Sequence, residues 1–255
     1  EALLYTEMIH ANAVIHGDTP SLLKYHPNEH PLAIQLGGSD PYMLSEASQI
    51  SEDYGFKEIN LNVGCPSDRV QRGCFGLSLL KTPELVVDCI ASMKDSVKNI
   101  PVTVKTRLGY DHCDDYSTLA KLVENLIKVG CDHVTVHARK GWLEGLNPHQ
   151  NRTIPPLKYD VVYKLKNDFP GFSIGINGGI KTLDEINNHL NYVDEVMVGR
   201  AFYHNPYLLA QLNGSAPARE KIVYQMADYA DKLILSNENK ARERKYQTKI
   251  SHIAK

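Results

Sequence analysis

Short β-branched runs recur along the chain, each followed by a stretch in which apolar residues return every three or four positions. The runs are ALLYTEM (2–8), PLAIQLGG (31–38), EINLNVG (58–64), PVTVKTR (101–107), HVTVHAR (133–139), SIGINGG (173–179) and EVMVGR (195–200). Between them, PYMLSEASQISEDYG (41–55), PELVVDCIASMKDSV (83–97), YSTLAKLVENLIKVG (116–130) and TLDEINNHL (182–190) carry helical spacing. Thr182 with Glu185 three residues on is a capping-box signature. Gly55 and Gly130 stand where a helix stops and a left-handed residue satisfies its last carbonyls. Alternation of this kind predicts a mainly parallel sheet covered by helices.

An open doubly wound sheet usually carries a glycine fingerprint after its first strand, and none follows ALLYTEM. Nearly every run ends instead in a polar residue or glycine: Glu7, Gln35, Asn62, Lys105, His137, Asn177 and Arg200. In a TIM-type (β/α)8 barrel the C-terminal strand ends form one rim, and chemistry gathers there. The expected fold is therefore an α/β class TIM (β/α)8 barrel over residues 1–212. Seven runs where eight strands are needed, in a chain that starts on a strand, imply that the first strand is missing and the N-terminus clipped. NGSAPARE (213–220) reads as a linker and 221–255 as the start of a C-terminal helical domain. Within that tail Lys240, Arg242, Arg244, Lys245 and Lys249 stand against Glu243 alone over 240–249.

A length of 255 residues suits one large domain or a barrel with a short appendage, and 42% hydrophobic with 23% charged residues is an ordinary globular balance. Lys+Arg 28 against Asp+Glu 30 gives a net charge of −2, so nucleic acid would have to be held by local basic patches. Five cysteines with no C-x-x-C pair argue against a disulfide framework or a zinc site, and no metal is expected. No apolar run approaches the roughly 20 residues of a membrane span. A cytoplasmic protein is expected, with organellar targeting left open by the clipped N-terminus.

INGGIKT (176–182) and VGRAF (198–202) follow the last two strands, where barrels often bind phosphate through bare backbone N–H groups. Gly178, Gly179 and Gly199 would let the backbone approach, and Arg200 would add a forked contact; glycines also simply end strands. Lys105 and His137 share the rim, where a lysine can set positive charge beside an electron-rich ring such as a reduced flavin. Alone, each would read as a solvated or core residue. Cys65 lies just past a strand end in the polar, glycine-rich NVGCPSDRVQRGCFG (62–76). A thiol with its ordinary pKa near 8.5 is protonated at neutral pH and can donate that proton. Cys89 and Cys131 sit among apolar neighbours and read as core thiols.

NLNVGCPSDRVQ (60–71), VTVKTRLG (102–109), VHARKGWLEGL (136–146), NRTIPPL (151–157), INGGI (176–180) and VMVGRAFYHNP (196–206) together resemble the tRNA-dihydrouridine synthases. GCPSDRVQ, HARK and NRTIPPL are similar to the A-type branch, which modifies uridines 20 and 20a of the D-loop. The resemblance implies an FMN enzyme with NADPH as reductant and tRNA as partner. Cys65 would protonate C5 of uracil while flavin N5 delivers hydride to C6. Gln35, Lys105 and His137 would contact the FMN ring and ribityl region, and Asn177, Gly178, Gly179, Gly199 and Arg200 its phosphate. Asn62 would hold the uracil, and Arg139, His149 and Arg152 would face the tRNA, with Tyr110 or Trp142 offering a surface on which a base extruded from the fold can stack. No protein partner is evident, and a monomer is expected.

The chain departs from the family pattern in three places: the first strand with its Ala-Pro-Met motif is absent, the C-terminal domain reads as cut short, and Leu77 and Ser78 replace the usual small residue and Cys. Two other readings remain at this point. One is a flavin barrel that reduces or oxidises a free pyrimidine, like the dihydroorotate and dihydropyrimidine dehydrogenases; the other is a tRNA-binding barrel without catalysis.

Overall fold

The computed structural model describes residues 2–212, 214 and 216–235, without the side chains of 233–235. All seven runs form strands: β1 Leu4–His10, β2 Leu32–Gly37, β3 Glu58–Val63, β4 Val102–Arg107, β5 His133–His137, β6 Ser173–Asn177 and β7 Glu195–Met197. They pair in parallel in chain order, with β1 at one end of the order and β7 at the other. Helices Pro41–Asp53, Pro83–Ser96, Tyr116–Lys128, Tyr159–Asp168 and Leu183–His189 make successive crossovers. The capping box is present, with Thr182 Oγ1 accepting from Glu185 N–H at 3.2 Å. Gly55 and Gly130 follow their helices with φ of 95° and 81°.

Three local features differ from the sequence pattern. β1 runs to His10 and is followed by two short helices, Ala11–His16 and Thr19–Leu22, each too brief to show a periodicity. The run 195–200 is strand only to Met197, because Gly199 turns the chain out of the sheet and Arg200 opens a helix to His204. The helix Tyr159–Asp168 was not read from the spacing, since only Val162 and Leu165 are buried on it.

Residues alternate between the two faces of each strand. One face carries Ile34, Leu36, Ile59, Leu61, Val102, Val104, Val134, Val136, Ile174 and Ile176, all buried in the core shared with the helices. The other face is polar and concave, because its side chains meet across intervening strands. Tyr5 Oη on β1 donates to Glu58 Oε1 on β3 at 2.6 Å, and Lys105 Nζ on β4 donates to Asn177 Oδ1 on β6 at 3.0 Å. Curling brings such residues together across the intervening strand, and the sheet is curled in the manner of a TIM-type barrel. A buried polar group left unsatisfied costs about 1–3 kcal/mol. His133 avoids that cost by bonding Ser173 Oγ at 2.8 Å and Thr135 Oγ1 at 2.9 Å, and burial pushes its pKa down to about 4, so the ring is neutral.

The chain divides into two compact units, Glu1–Asn205 and Pro206–Lys255. In the second unit, helices Tyr207–Leu212 and Arg219–Leu235 are described, and Tyr207 Oη donates to Pro217 O at 3.1 Å. The basic stretch 240–249 lies outside the described residues. Among those described, no helix is long and apolar enough to cross a membrane.

The outer face of the sheet is covered by helices whose inward side chains are fully buried, so shortening one of them tests the packing. Leu126, fully buried on Tyr116–Lys128, should cost about 2–5 kcal/mol when changed to Ala, read as a lower urea midpoint with an unchanged slope.

Candidate active site at the strand ends

At the end of β3 the Asn62 side chain folds the chain back on itself. Its Oδ1 accepts from Gly64 N–H at 3.1 Å and Cys65 N–H at 2.9 Å, which raises Cys65 over the rim. The turn is closed from behind by Leu77 N–H on Cys65 O at 2.9 Å. Gly76, with φ of 64°, is required there: a Cβ would meet Val70 Cγ1 at 2.4 Å and Cys65 O at 2.7 Å. The Cys65 thiol is half-buried, with Ser67 Oγ 3.6 Å from its Sγ. By contrast Cys89 and Cys131 are buried, and burial pushes both thiols up to about 12, as suits core residues.

Lys105 is the register partner of Asn62 on the neighbouring strand. Burial, reinforced by the nearby Arg107 charge, pushes its ammonium down to about 7. Next on the rim, His137 is buried and its Nε2 has no hydrogen-bond partner. Burial first, then the charges of Lys105, Arg107, Arg139 and Arg200, push its pKa down to about 2. Asn177 links β6 to β7 by donating to Met197 O at 2.7 Å while accepting from Lys105. Gly178, with φ of 121°, lies against the His137 ring, where a Cβ would come within 3.0 Å of Cδ2. Gly179 is also left-handed, at 75°, whereas Gly199 has open space around its Cβ position and an ordinary negative φ.

The expected residues thus fall into three groups. Gln35, Asn62 and the Cys65 turn form one: Gln35 accepts from Asn62 Nδ2 at 2.7 Å and donates to Asn60 Oδ1 at 2.8 Å. Lys105, His137, Asn177 and Gly178 form the second. Arg139, Arg152 and Arg200 form the third, where Arg200 Nη2 donates to Arg152 O at 3.2 Å and Arg139 Nη1 donates to Pro155 O. Arg139 Nε is buried without a partner. His149 is exposed and joins the others only through its carbonyl, which accepts from Arg152 N–H at 3.0 Å. Trp142 is half-buried, with Lys140 Nζ 4.8 Å above its ring and His112 against it edge-on. Tyr110 is half-buried at the adjoining bridge to Gly141.

Two residues outside the expected set organise the rim. Arg107 is buried and donates to Gly64 O at 2.9 Å, Lys140 O at 3.1 Å and Asn151 O at 3.1 Å, and no carboxylate pairs with it among the described residues. Asn151, also buried, accepts from Trp142 N–H at 2.7 Å and donates to Trp142 O and Leu146 O, each at 3.0 Å. Period-two alternation from Lys105 points to Arg107, since both lie on the inward face of β4. Asn151 carries no comparable signal in the sequence.

The rim fits a flavin mononucleotide on three counts. His137 Nε2 is a buried polar atom in want of a partner, Gly178 leaves no side chain beside it, and Arg200, whose charge acts on His137, offers a guanidinium for phosphate. Among the described residues no group of three or more potential metal ligands gathers.

The family described as Dihydrouridine synthase (Dus) matches residues 1–255. A protein named tRNA-dihydrouridine(20/20a) synthase from Synechocystis sp. is 52% identical over 236 residues, which cover 90% of this chain and 70% of the relative. Proteins of the same name from Xanthomonas axonopodis pv. citri and Shewanella oneidensis are 51% identical over 218 residues and 49% over 237. Those matches cover 86% and 90% of this chain, and 65% and 70% of the relatives. About half of all positions are shared across nearly the whole sequence and the family match runs from end to end, so the chain belongs to the dihydrouridine synthase family.

Proposed function

We propose that this chain reduces a uridine in the D-loop of tRNA, at position 20 or 20a, to dihydrouridine, with FMN on the strand-end rim, NADPH as reductant and Cys65 as proton donor. The observation that carries this reading is the half-buried Cys65 thiol raised beside the Lys105, His137 and Asn177 group on one rim. Names shared by relatives at about half identity support the same reaction.

Gln35, Lys105 and His137 would hold the ring and ribityl side of FMN; Asn177, Gly178, Gly179, Gly199 and Arg200 would hold its phosphate. When bound, FMN would be the source of the hydride for C6 of the uracil. Cys65 gives its proton to C5, and the thiolate left behind recovers one from water. Lys105, with its pKa of about 7, would be able to hold a proton beside the ring at neutral pH. The neutral His137 offers Nε2 as a hydrogen-bonding atom. Asn62 holds the uracil edge as well as the Cys65 turn. Arg139, Arg152 and His149 face the RNA, and the tail at 240–249 adds charge from beyond the described residues.

Cys65→Ala should keep flavin and tRNA binding while dihydrouridine formation in purified tRNA falls about 100-fold or more, the scale of a lost general acid. A variant with near-normal turnover would remove Cys65 from its role. Lys105 gives a pH signature in flavin-free protein. Its ammonium titrates at about 7 folded and about 10.4 unfolded, so the unfolded chain holds more protons between those values and stability rises with pH across them. Lys105→Met should therefore be more stable than the parent at pH 6, the gap closing toward pH 10 in a thermal-shift series. Because net charge is −2, affinity for tRNA rests on local cations and should fall about tenfold or more between about 50 and 200 mM salt. A flat profile in filter binding would argue for free pyrimidine as substrate.

A further inference from the structure

The peptide that joins Gly178 to Gly179 has no side chain on either flank to limit its rotation. Both glycines lie in the left-handed region, at φ of 121° and 75°. A flip of the flat unit between two glycines meets little steric resistance. A loop that depends on the direction of this peptide must be held from outside itself.

Tyr159 does the holding, since its Oη donates to Gly178 O at 2.7 Å. In a trans peptide the C=O and the following N–H point in opposite directions. A carbonyl turned toward Tyr159 therefore leaves the Gly179 N–H turned away from it. Among the described residues no acceptor takes the N–H of Gly178, Gly179 or Ile180, and pairing resumes only at Lys181, whose N–H meets Glu185 Oε2 at 2.6 Å. Successive backbone donors of this kind form anion sites.

The hydroxyl is itself fixed in place. Tyr159 opens the helix Tyr159–Asp168, and Lys158 N–H just before it donates to Ala138 O at 2.8 Å, which ties the helix start to the end of β5. The buried His189 ring meets the Tyr159 ring edge-on with centroids 4.5 Å apart. Behind it, Tyr163 Oη lies 2.6 Å from His189 Nδ1, and the Tyr192 ring stacks on Tyr163. A Cβ at Gly179 would come within 2.7 Å of Leu157 Cδ1 and 3.1 Å of Tyr159 Oη, so the loop lies directly on this wall. A side chain packed in this way has little freedom left to lose on binding.

We infer that Tyr159 is a positioning residue: by holding Gly178 O it aims the Gly179 N–H at the phosphate of FMN, and so sets a preference for FMN over riboflavin. The inference rests on the flavin rim proposed above and adds to it a residue that touches no ligand.

The test titrates the full chain, stripped of flavin, with FMN and with riboflavin, each read by quenching of flavin fluorescence. Tyr159→Phe keeps the ring and its packing on His189 and removes only the oxygen. Its affinity for FMN should fall about fivefold or more, while riboflavin, which has no phosphate, changes by less than about twofold. Tyr163→Phe removes a hydroxyl from the same aromatic wall without touching Gly178, and should keep the parent's ratio of the two affinities. A merely structural role for Tyr159 would weaken both flavins alike, and that result overturns the inference. In unaltered protein, exchange of the Gly179 N–H with solvent, followed by NMR after glycine labelling, should slow on adding FMN and not on adding riboflavin. That measurement decides the matter should Tyr159→Phe fail to fold. If the parent prefers FMN yet Tyr159→Phe keeps the ratio, or Gly179 is indifferent to FMN, the inference is overturned and the flavin rim stands. A parent that binds both flavins alike also overturns the inference, and one that binds neither overturns the flavin rim with it.

Discussion

A single directed line of hydrogen bonds runs down the inside of the sheet from the Cys65 turn to the opposite end of the strands. Cys65 N–H donates to Asn62, Asn62 to Gln35, Gln35 to Asn60, Asn60 to Thr103 and Thr103 to Glu58, at 2.9, 2.7, 2.8, 2.8 and 2.6 Å. Each amide passes its dipole on in the same sense, so the bonds polarise one another in a low-dielectric interior. Tyr5 ends on the same Glu58 carboxyl, whose pKa burial raises despite both donors. Cys65 is thus held by a buried network that crosses three strands, β2, β3 and β4. Replacing any amide in it would strand two polar groups rather than one.

The electrostatics of the rim contrast with those of the whole chain. Overall charge is slightly negative, yet Lys105, Arg107, Arg139 and Arg200 all act on His137, and burial lowers the pKa of Lys105, Arg107 and Arg139. The carboxylate Asp114 is taken by Lys140 and Lys158, away from that group. Among the described residues none of these four cations is paired with a carboxylate, which is the pattern expected of a surface shaped for an anionic ligand.

Much of this was legible in the sequence because parallel strands and capped helices leave local signatures. The seven β-branched runs, the Thr182–Glu185 box and the two stop glycines each depend on neighbours a few residues away, and each appears in the structure. Gln35, Lys105, His137 and Asn177 were visible because strand ends share one rim in this architecture. Arg107 carries the same signal as Lys105, because the period of two that brings Lys105 to the inward face continues to it at the very end of VTVKTR. Asn151 could not be read at all: its bonds go to Trp142 and Leu146, and nothing in an isolated asparagine says which loop it will tie. The short helices after β1 were missed for a different reason, since four to six residues hold too little pattern to separate from loop.

Arg107 fastens three segments through their carbonyl oxygens at Gly64, Lys140 and Asn151. Had a glutamate been among its acceptors, the two charges would have cancelled and the scaffold would be electrically silent. Carbonyls are dipoles without net charge, so the guanidinium keeps its full positive unit while serving as a strut. The mortar between these loops is therefore also a standing bias toward whatever anion drifts near the thiol.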